Sequence, residues 1–105
     1  MNSQLAKLEP APVWRLFDAI CAIPHPSGHE TRLAAALAAL AEKNGLAVRI
    51  DVTGNLRIDR PASPGFEDSP MILLQGHLDM VPQALATVDF DFTREPIPLT
   101  VEDGW

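Results

Sequence analysis

The sequence has little of what several common classes of protein require. It holds a single cysteine, Cys21, which excludes an internal disulfide and suits a reducing compartment. Its longest apolar stretch, residues 33–41, is far shorter than the roughly 20 residues that a membrane-spanning helix needs. Residues 1–10 lack the apolar core and the cleavage site of a signal peptide. We therefore expect a cytoplasmic protein without a membrane partner.

Patches and motifs that bind nucleic acids or nucleotides are also missing. The formal net charge is −6, and the eight lysines and arginines are scattered singly, so we expect no nucleic-acid partner. Neither a Gly-x-Gly-x-x-Gly pattern nor a P-loop occurs, which argues against nucleotide binding. No serine lies in a Gly-x-Ser-x-Gly elbow, so serine-hydrolase chemistry is not supported.

Clusters among the ten prolines divide the chain into segments, and the first two segments read as helices. Pro12 suits the first turn of a helix over residues 13–22, with an apolar stripe at helical spacing. Ser27 and Glu30 predict a capping box at the start of the second helix, which ends at Gly45. The stripe of the first helix is Val13, Leu16, Phe17, Ile20 and Cys21, and the buried face of the second is Leu33, Ala36, Leu37 and Leu40.

Alternation of apolar and charged residues predicts a β-hairpin, with strands near residues 48–50 and 56–58. A proline-rich loop over residues 60–70 follows. The uninterrupted apolar run at residues 71–74 is typical of a strand buried on both faces of a mixed sheet. Helices on a mixed sheet indicate an α/β fold. Beyond residue 81 only weak strand patterns remain, and the chain stops at Trp105 without a closing element, so we expect an incomplete domain.

The pattern with the clearest chemistry is Gly-His-Leu-Asp at residues 76–79, where the apolar run gives way to a loop. Sites in α/β sheets lie at such strand ends. In an extended chain, residues two apart project to the same side, so His77 and Asp79 are expected to point together. An imidazole can bind a metal through one nitrogen while a nearby acid orients the ring. A His–Asp hydrogen bond that only joins strand to loop would leave the same pattern, and spacing alone slightly favours this structural interpretation because His-x-Asp is short and common.

Three other candidates have simpler structural explanations. His25 and His29 have the spacing of a helical zinc pair, but Pro26 and Gly28 between them forbid a regular helix. Cys21 lies on an apolar stripe and reads as a buried structural thiol. The adjacent acids at residues 67–68 lie in a loop that offers no pocket to tune their pKa.

Five blocks of the chain resemble one family, the aminoacyl-histidine (carnosinase-like) dipeptidases. The central block is LQGHLDMVPQ at residues 74–83, similar to the first metal-binding segment of that family. Before it stand, in the same order, VWRLF at 13–17, IPHPSGHE at 23–30, TGNL at 53–56 and PASPG at 61–65. The chain is thereby identified as an N-terminal portion, residues 1–105, of the catalytic domain of such an enzyme.

This resemblance implies a hydrolase with two co-catalytic metal ions, usually zinc, with cobalt or manganese as alternatives. By the same resemblance His77 is a metal ligand and Asp79 is the catalytic-site acid that clamps its imidazole. The family's remaining ligands and its catalytic base have no counterpart in this chain, so we expect the 105 residues to be inactive alone. The dimerisation part would also lie beyond Trp105, so a homodimer is expected only of the complete protein.

Two further hypotheses stay open on the sequence. One is a sister two-metal exopeptidase or deacylase that shares the His-x-Asp pattern. The other is a non-catalytic truncated product or small binding domain. Because Leu73 and Leu74 need cover on both faces, we also expect the isolated chain to expose apolar surface and to associate.

Overall fold

The computed structural model describes residues 4–103. The chain divides into two compact units. The first combines the residues up to Leu33 with those from Asp79 onward, and the second is Ala34–Leu78. The elements are a short 3-10 turn, Leu5–Lys7, helices α1 (Ala11–Cys21) and α2 (Thr31–Lys43), and strands β1 (Ala47–Ile50) and β2 (Leu56–Asp59). The boundary between the units falls within α2.

Helix α1 begins two residues earlier than the sequence predicts. The Glu9 carboxylate accepts a hydrogen bond from the amide of Ala11 at 3.0 Å, which satisfies one of the free N–H groups of the first turn. Pro12 stands in that turn, where its missing N–H costs nothing. Among the predicted stripe residues Cys21 is buried, whereas Val13, Leu16 and Phe17 are substantially exposed. Amphipathic spacing thus located the helix but did not determine how much of its stripe is covered.

The start of α2 corrects the predicted capping box. The helix begins at Thr31, and residues 27–28 form a turn before it. The Glu30 carboxylate accepts from the amide of Gly28 at 2.7 Å instead of that of Ser27, and Gly28 takes a positive φ of 85° in this turn, which glycine adopts without strain. The Ser27 amide donates to the backbone oxygen of Met80, and the Ser27 hydroxyl donates to the side chain of Asp79 rather than to the helix.

The buried face of α2 is also rotated from the prediction. Leu33 is buried as expected, but Ala36 and Leu40 are exposed. The positions covered with Leu33 are the small ones at i, i+4 and i+7: Ala34, Ala38 and Ala41. Alanine permits closer packing than leucine, and here the helix presents its alanine row to the covered side.

The end of α2 follows the prediction closely. Gly45 has a φ of +73°, the left-handed conformation that glycine adopts without strain. Its amide donates to the carbonyl of Glu42 at 2.9 Å, and the amide of Leu46 donates to that of Ala41 at 3.0 Å. These two bonds form a Schellman motif, which satisfies carbonyls of the last turn.

The predicted hairpin is confirmed. Strands β1 and β2 pair antiparallel, with Ala47 opposite Asp59 and Ile50 opposite Leu56. The connecting turn is organised by Asp51, whose carboxylate accepts from the amides of Thr53 and Asn55, both at 2.9 Å, and from both of their side chains. These bonds, the Asn55 side chain foremost and then Thr53, hold the pKa of Asp51 well below its usual range.

The predicted strand at residues 71–74 does not form within the described residues. Met71, Ile72, Leu73 and Leu74 are each 84–90% exposed. A strand needs a neighbour to satisfy its N–H and C=O groups, and the sheet of residues 4–103 contains only β1 and β2, paired with each other. The α/β class is confirmed in its helices and hairpin, and the apolar exposure expected of this run is present.

The weak strand patterns that the sequence shows at residues 88–92 and 97–101 also form no strand. Two hydrogen bonds tie the second of these segments into the first unit. The amide of Ile97 donates to the carbonyl of Cys21 at 2.9 Å, and the amide of Val101 donates to the side-chain oxygen of Gln4 at 3.3 Å. Gly104 and Trp105, where the sequence predicts an open end, lie outside the described residues.

Candidate functional site

The two predicted site residues stand where the chain passes from the second unit back to the first. His77 is exposed and is the penultimate residue of the second unit. Asp79 is half-buried and is the first residue of the returning segment. Gly76 before them has open space around it, since a Cβ built there would meet no atom within 4 Å.

Asp79 is held by a residue from a distant part of the sequence. The Ser27 hydroxyl donates a hydrogen bond to Asp79 Oδ2 at 2.6 Å, a short distance typical of a hydroxyl bound to a carboxylate. Ser27 and Asp79 both belong to the first unit. The carboxylate at the predicted site is therefore anchored to the turn that precedes α2.

The backbone next to this bond joins the same two segments. The amide of Met80 donates to the carbonyl of His25 at 3.0 Å, and the amide of Ser27 donates to the carbonyl of Met80 at 3.2 Å. Together they form a parallel bridge between Pro26 and Met80. Because these bonds join Ser27 itself and His25 to Met80, the neighbour of Asp79, they hold the backbones of Ser27 and Asp79 close together.

His25 plays a structural part in this turn, as its proline-flanked position suggested. Its side chain is 7% exposed, and its Nδ1 donates to the carbonyl of Ile23. Pro24 and Pro26 on either side are buried as well. His29, the other member of the candidate zinc pair, is exposed, so the two rings lie in different environments.

The remaining candidates do not assemble a site. Cys21 is buried, and burial, with a smaller contribution from the Asp18 carboxylate, raises the pKa of its thiol, which opposes nucleophilic chemistry. Glu67 and Asp68 are exposed in their loop. A hollow of about 150 Å³ beside the end of α1 is small compared with the roughly 300–1,000 Å³ of ligand pockets. Its lining includes no candidate site residue: Asp18, Ala22, Pro96, Ile97 and Leu99.

We tested whether the described residues could hold a metal ion by themselves. Imidazole nitrogen is a common zinc donor, so His77 is chemically suited to the role. Within residues 4–103, however, no three His, Cys, Asp or Glu side chains come together as they would around an ion. A catalytic zinc takes about three protein ligands. The described part of the chain thus offers a donor and an anchored carboxylate, but not a full ligand set.

Sequence reasoning missed Ser27 as a site residue. It assigned the hydroxyl to a helix cap because the local Ser-x-x-Glu pattern is the usual mark of a capping box. Its actual partner lies 52 positions away. The only sequence signal was that both residues fall in blocks that resemble the same family.

Two of three comparisons with known proteins find a match for this chain. Comparison with protein-family models finds no match. The chain is 43% identical over 103 residues to the cytosol non-specific dipeptidase of Escherichia coli (strain K12), covering 98% of this chain and 21% of that protein. It superposes on the crystal structure of the aminoacylhistidine dipeptidase of Vibrio alginolyticus with a TM-score of 0.91 and 46% identity, covering 99% of this chain.

The chain spans about one fifth of the length of each relative, 21% in both cases. No helix of residues 4–103 has the length and apolar character needed to cross a membrane. Identity above 40% over almost the whole chain, together with a close superposition, confirms the resemblance predicted from the five sequence blocks. Over nearly its whole length, this chain is similar to about one fifth of a cytosol non-specific dipeptidase and of an aminoacylhistidine dipeptidase.

Proposed function

We propose that the complete protein to which this chain belongs is a metal-dependent dipeptidase. The observation that carries the proposal is the close match of nearly the whole chain, in sequence and in structure, to enzymes named as dipeptidases. The block at residues 74–83, with His77 and Asp79, lies within the matched region. We propose the cytoplasm as its location, which the name of the Escherichia coli relative supports.

In this proposal His77 binds one of two zinc ions, and Asp79 orients the imidazole so that one ring nitrogen faces the metal. Cobalt or manganese would suit the same donors. When bound, such ions supply polarisation of the peptide carbonyl and a water of lowered pKa. The other ligands and the general base would come from the four fifths of the relatives' length that this chain does not match. The 105 residues alone would then be inactive.

For the substrate we propose dipeptides of the Xaa-His class, such as β-alanyl-histidine. A broader range of dipeptides is the second candidate, and the name of the Escherichia coli relative, a non-specific dipeptidase, favours it. We further propose that the complete protein is a homodimer. A non-catalytic product derived from a two-metal exopeptidase or deacylase is the remaining alternative.

The test is to express the complete coding sequence that contains this chain, to measure bound metal, and to assay hydrolysis of β-alanyl-histidine beside a panel of other dipeptides. Chelation should abolish activity and zinc should restore it. His77→Ala should lower kcat/KM by more than about 100-fold, because losing a ligand should exceed the 10–100-fold effect of losing an outer partner.

His29→Ala is the matched control, since it removes another exposed imidazole, one that is not a proposed metal ligand. It should leave activity unchanged. A complete protein that binds metal but cleaves no dipeptide would favour the deacylase alternative. One that binds no metal would leave the non-catalytic alternative standing.

A further inference from the structure

Ser27 is fixed in place without the use of its hydroxyl. Its own amide donates to the carbonyl of Met80 at 3.2 Å, and the amide of Met80 donates to the carbonyl of His25 at 3.0 Å. The turn that follows is closed by the amide of His29 donating to the carbonyl of Pro26 at 2.8 Å, and by the Gly28 amide donating to Glu30. The hydroxyl takes part in none of these bonds. Its described hydrogen bond goes to Asp79.

An aspartate carboxylate needs such a partner if it is to orient another group. The torsion that rotates a carboxylate about its Cβ–Cγ bond has broad minima, so the side chain by itself does not present an oxygen in one fixed direction. A short bond from Ser27 to Oδ2 restricts that rotation. With Oδ2 fixed, the direction of Oδ1 is fixed as well.

We propose that Ser27 is a positioning residue of the dipeptidase site: its hydroxyl holds the Asp79 carboxylate in one fixed orientation. The inference rests on the proposed function, in which Asp79 acts on His77. Ser27 thereby supports the carboxylate of Asp79 from a turn that lies 52 residues earlier in the chain. Outer partners of metal ligands stabilise the metal-binding orientation of the ring, and Ser27 does so through Asp79.

The test uses the complete protein with Ser27→Ala, Ser27→Thr and, as matched control, Ser63→Ala in the exposed loop. The readouts are metal affinity by competition with a chelator, the absorption spectrum of the cobalt-loaded protein, and kcat and KM measured separately. Ser27→Ala should weaken metal binding about 3- to 10-fold, below the 10–100-fold typical of a direct outer partner. It should lower kcat by a similar factor at unchanged KM.

Threonine keeps a hydroxyl on the same atom, so Ser27→Thr should restore metal affinity and the cobalt spectrum, and Ser63→Ala should match the unaltered protein. In an Asp79→Ala background, Ser27→Ala should have no further effect on metal affinity. Melting of Ser27→Ala should stay close to that of the unaltered protein, because the turn is held by other bonds.

Two results would overturn the inference in different ways. An active, metal-bound protein in which Ser27→Ala leaves metal affinity, the cobalt spectrum and kcat unchanged refutes the role of Ser27 and leaves the proposed function intact. An unaltered complete protein that binds no metal refutes both.

Discussion

Ser27 and Asp79 are 52 positions apart, and the hydroxyl of the first donates to Oδ2 of the second at 2.6 Å. This bond joins the turn before α2 to the segment that carries the predicted site. The local sequence around Ser27 predicts a helix cap, yet α2 begins at Thr31, beyond the reach of such a cap. The hydroxyl therefore serves a long-range contact where a local one is the usual expectation.

The first prediction concerns the stability of α2. Loss of an N-cap side chain costs roughly 1 kcal/mol of helix stability. Because the Ser27 hydroxyl does not cap α2, Ser27→Ala should leave amide hydrogen exchange unchanged at Ala35 and Ala36, the first amides that bond to carbonyls within the helix.

The contrasting variant is Glu30→Ala, which removes the carboxylate that accepts from the Gly28 amide. That change should speed exchange at Gly28 itself. An increase of about fivefold or more at Ala35 in Ser27→Ala, equivalent to about 1 kcal/mol, would reinstate the capping box.

What the sequence predicts correctly depends on how local the cause is. The hairpin and the end of α2 follow from residues within a few positions of one another: alternation in the strands, and Gly45 after the last turn. The strand predicted at residues 71–74 depends on a distant neighbour, and within residues 4–103 none pairs with it. The Ser27–Asp79 bond is likewise long-range, so no local pattern announces it.

The second prediction uses the Schellman motif at the end of α2. Gly45 has a φ of +73° and open space around it, so a methyl group there would meet strain but no clash. An L-residue in this conformation costs roughly 1–2 kcal/mol. Gly45→Ala should therefore speed exchange of the Leu46 amide, which donates to Ala41, about 5- to 30-fold.

Gly45→Asn supplies the control, because asparagine tolerates the left-handed conformation better than alanine does. Gly45→Asn should therefore speed exchange of the Leu46 amide clearly less than Gly45→Ala does. Equal effects of alanine and asparagine would show that the backbone conformation is not the cause.

The third prediction is a pH dependence of the hairpin turn. Hydrogen bonds to the ionised Asp51 hold its pKa below the usual value, so they stabilise the turn fully above the ordinary aspartate range near 3.9. The stabilisation of the turn should be lost as the pH falls from the ordinary aspartate range toward the lower pKa that Asp51 has in the folded state. Protection of the Thr53 and Asn55 amides, followed by NMR, should decline over the same window.

Asp51→Ala should remove this protection already at neutral pH and should abolish its pH dependence. Asp68→Ala, a change at an exposed acid in the loop that follows the hairpin, should alter neither the protection of these amides nor its pH dependence. Unchanged protection in Asp51→Ala would mean that the backbone of the turn, rather than the carboxylate, holds it closed.

The fourth prediction concerns the exposed run at residues 71–74. Four consecutive apolar side chains, each 84–90% exposed, form a patch of a kind that soluble monomers rarely leave open, and their backbone has no strand partner within residues 4–103. The 105-residue chain produced alone should therefore self-associate in a concentration-dependent way, as measured by sedimentation velocity. Leu74→Lys should reduce the association, because edge lysines oppose strand pairing.

Val52→Lys is the matched control for that variant. Val52 is fully exposed at the tip of the hairpin, so the substitution adds the same charge away from the run. If association is driven by residues 71–74, Val52→Lys should change it far less than Leu74→Lys does. Equal effects would assign the change to net charge alone, and a monodisperse, cooperatively melting monomer would show that the exposed run needs no cover.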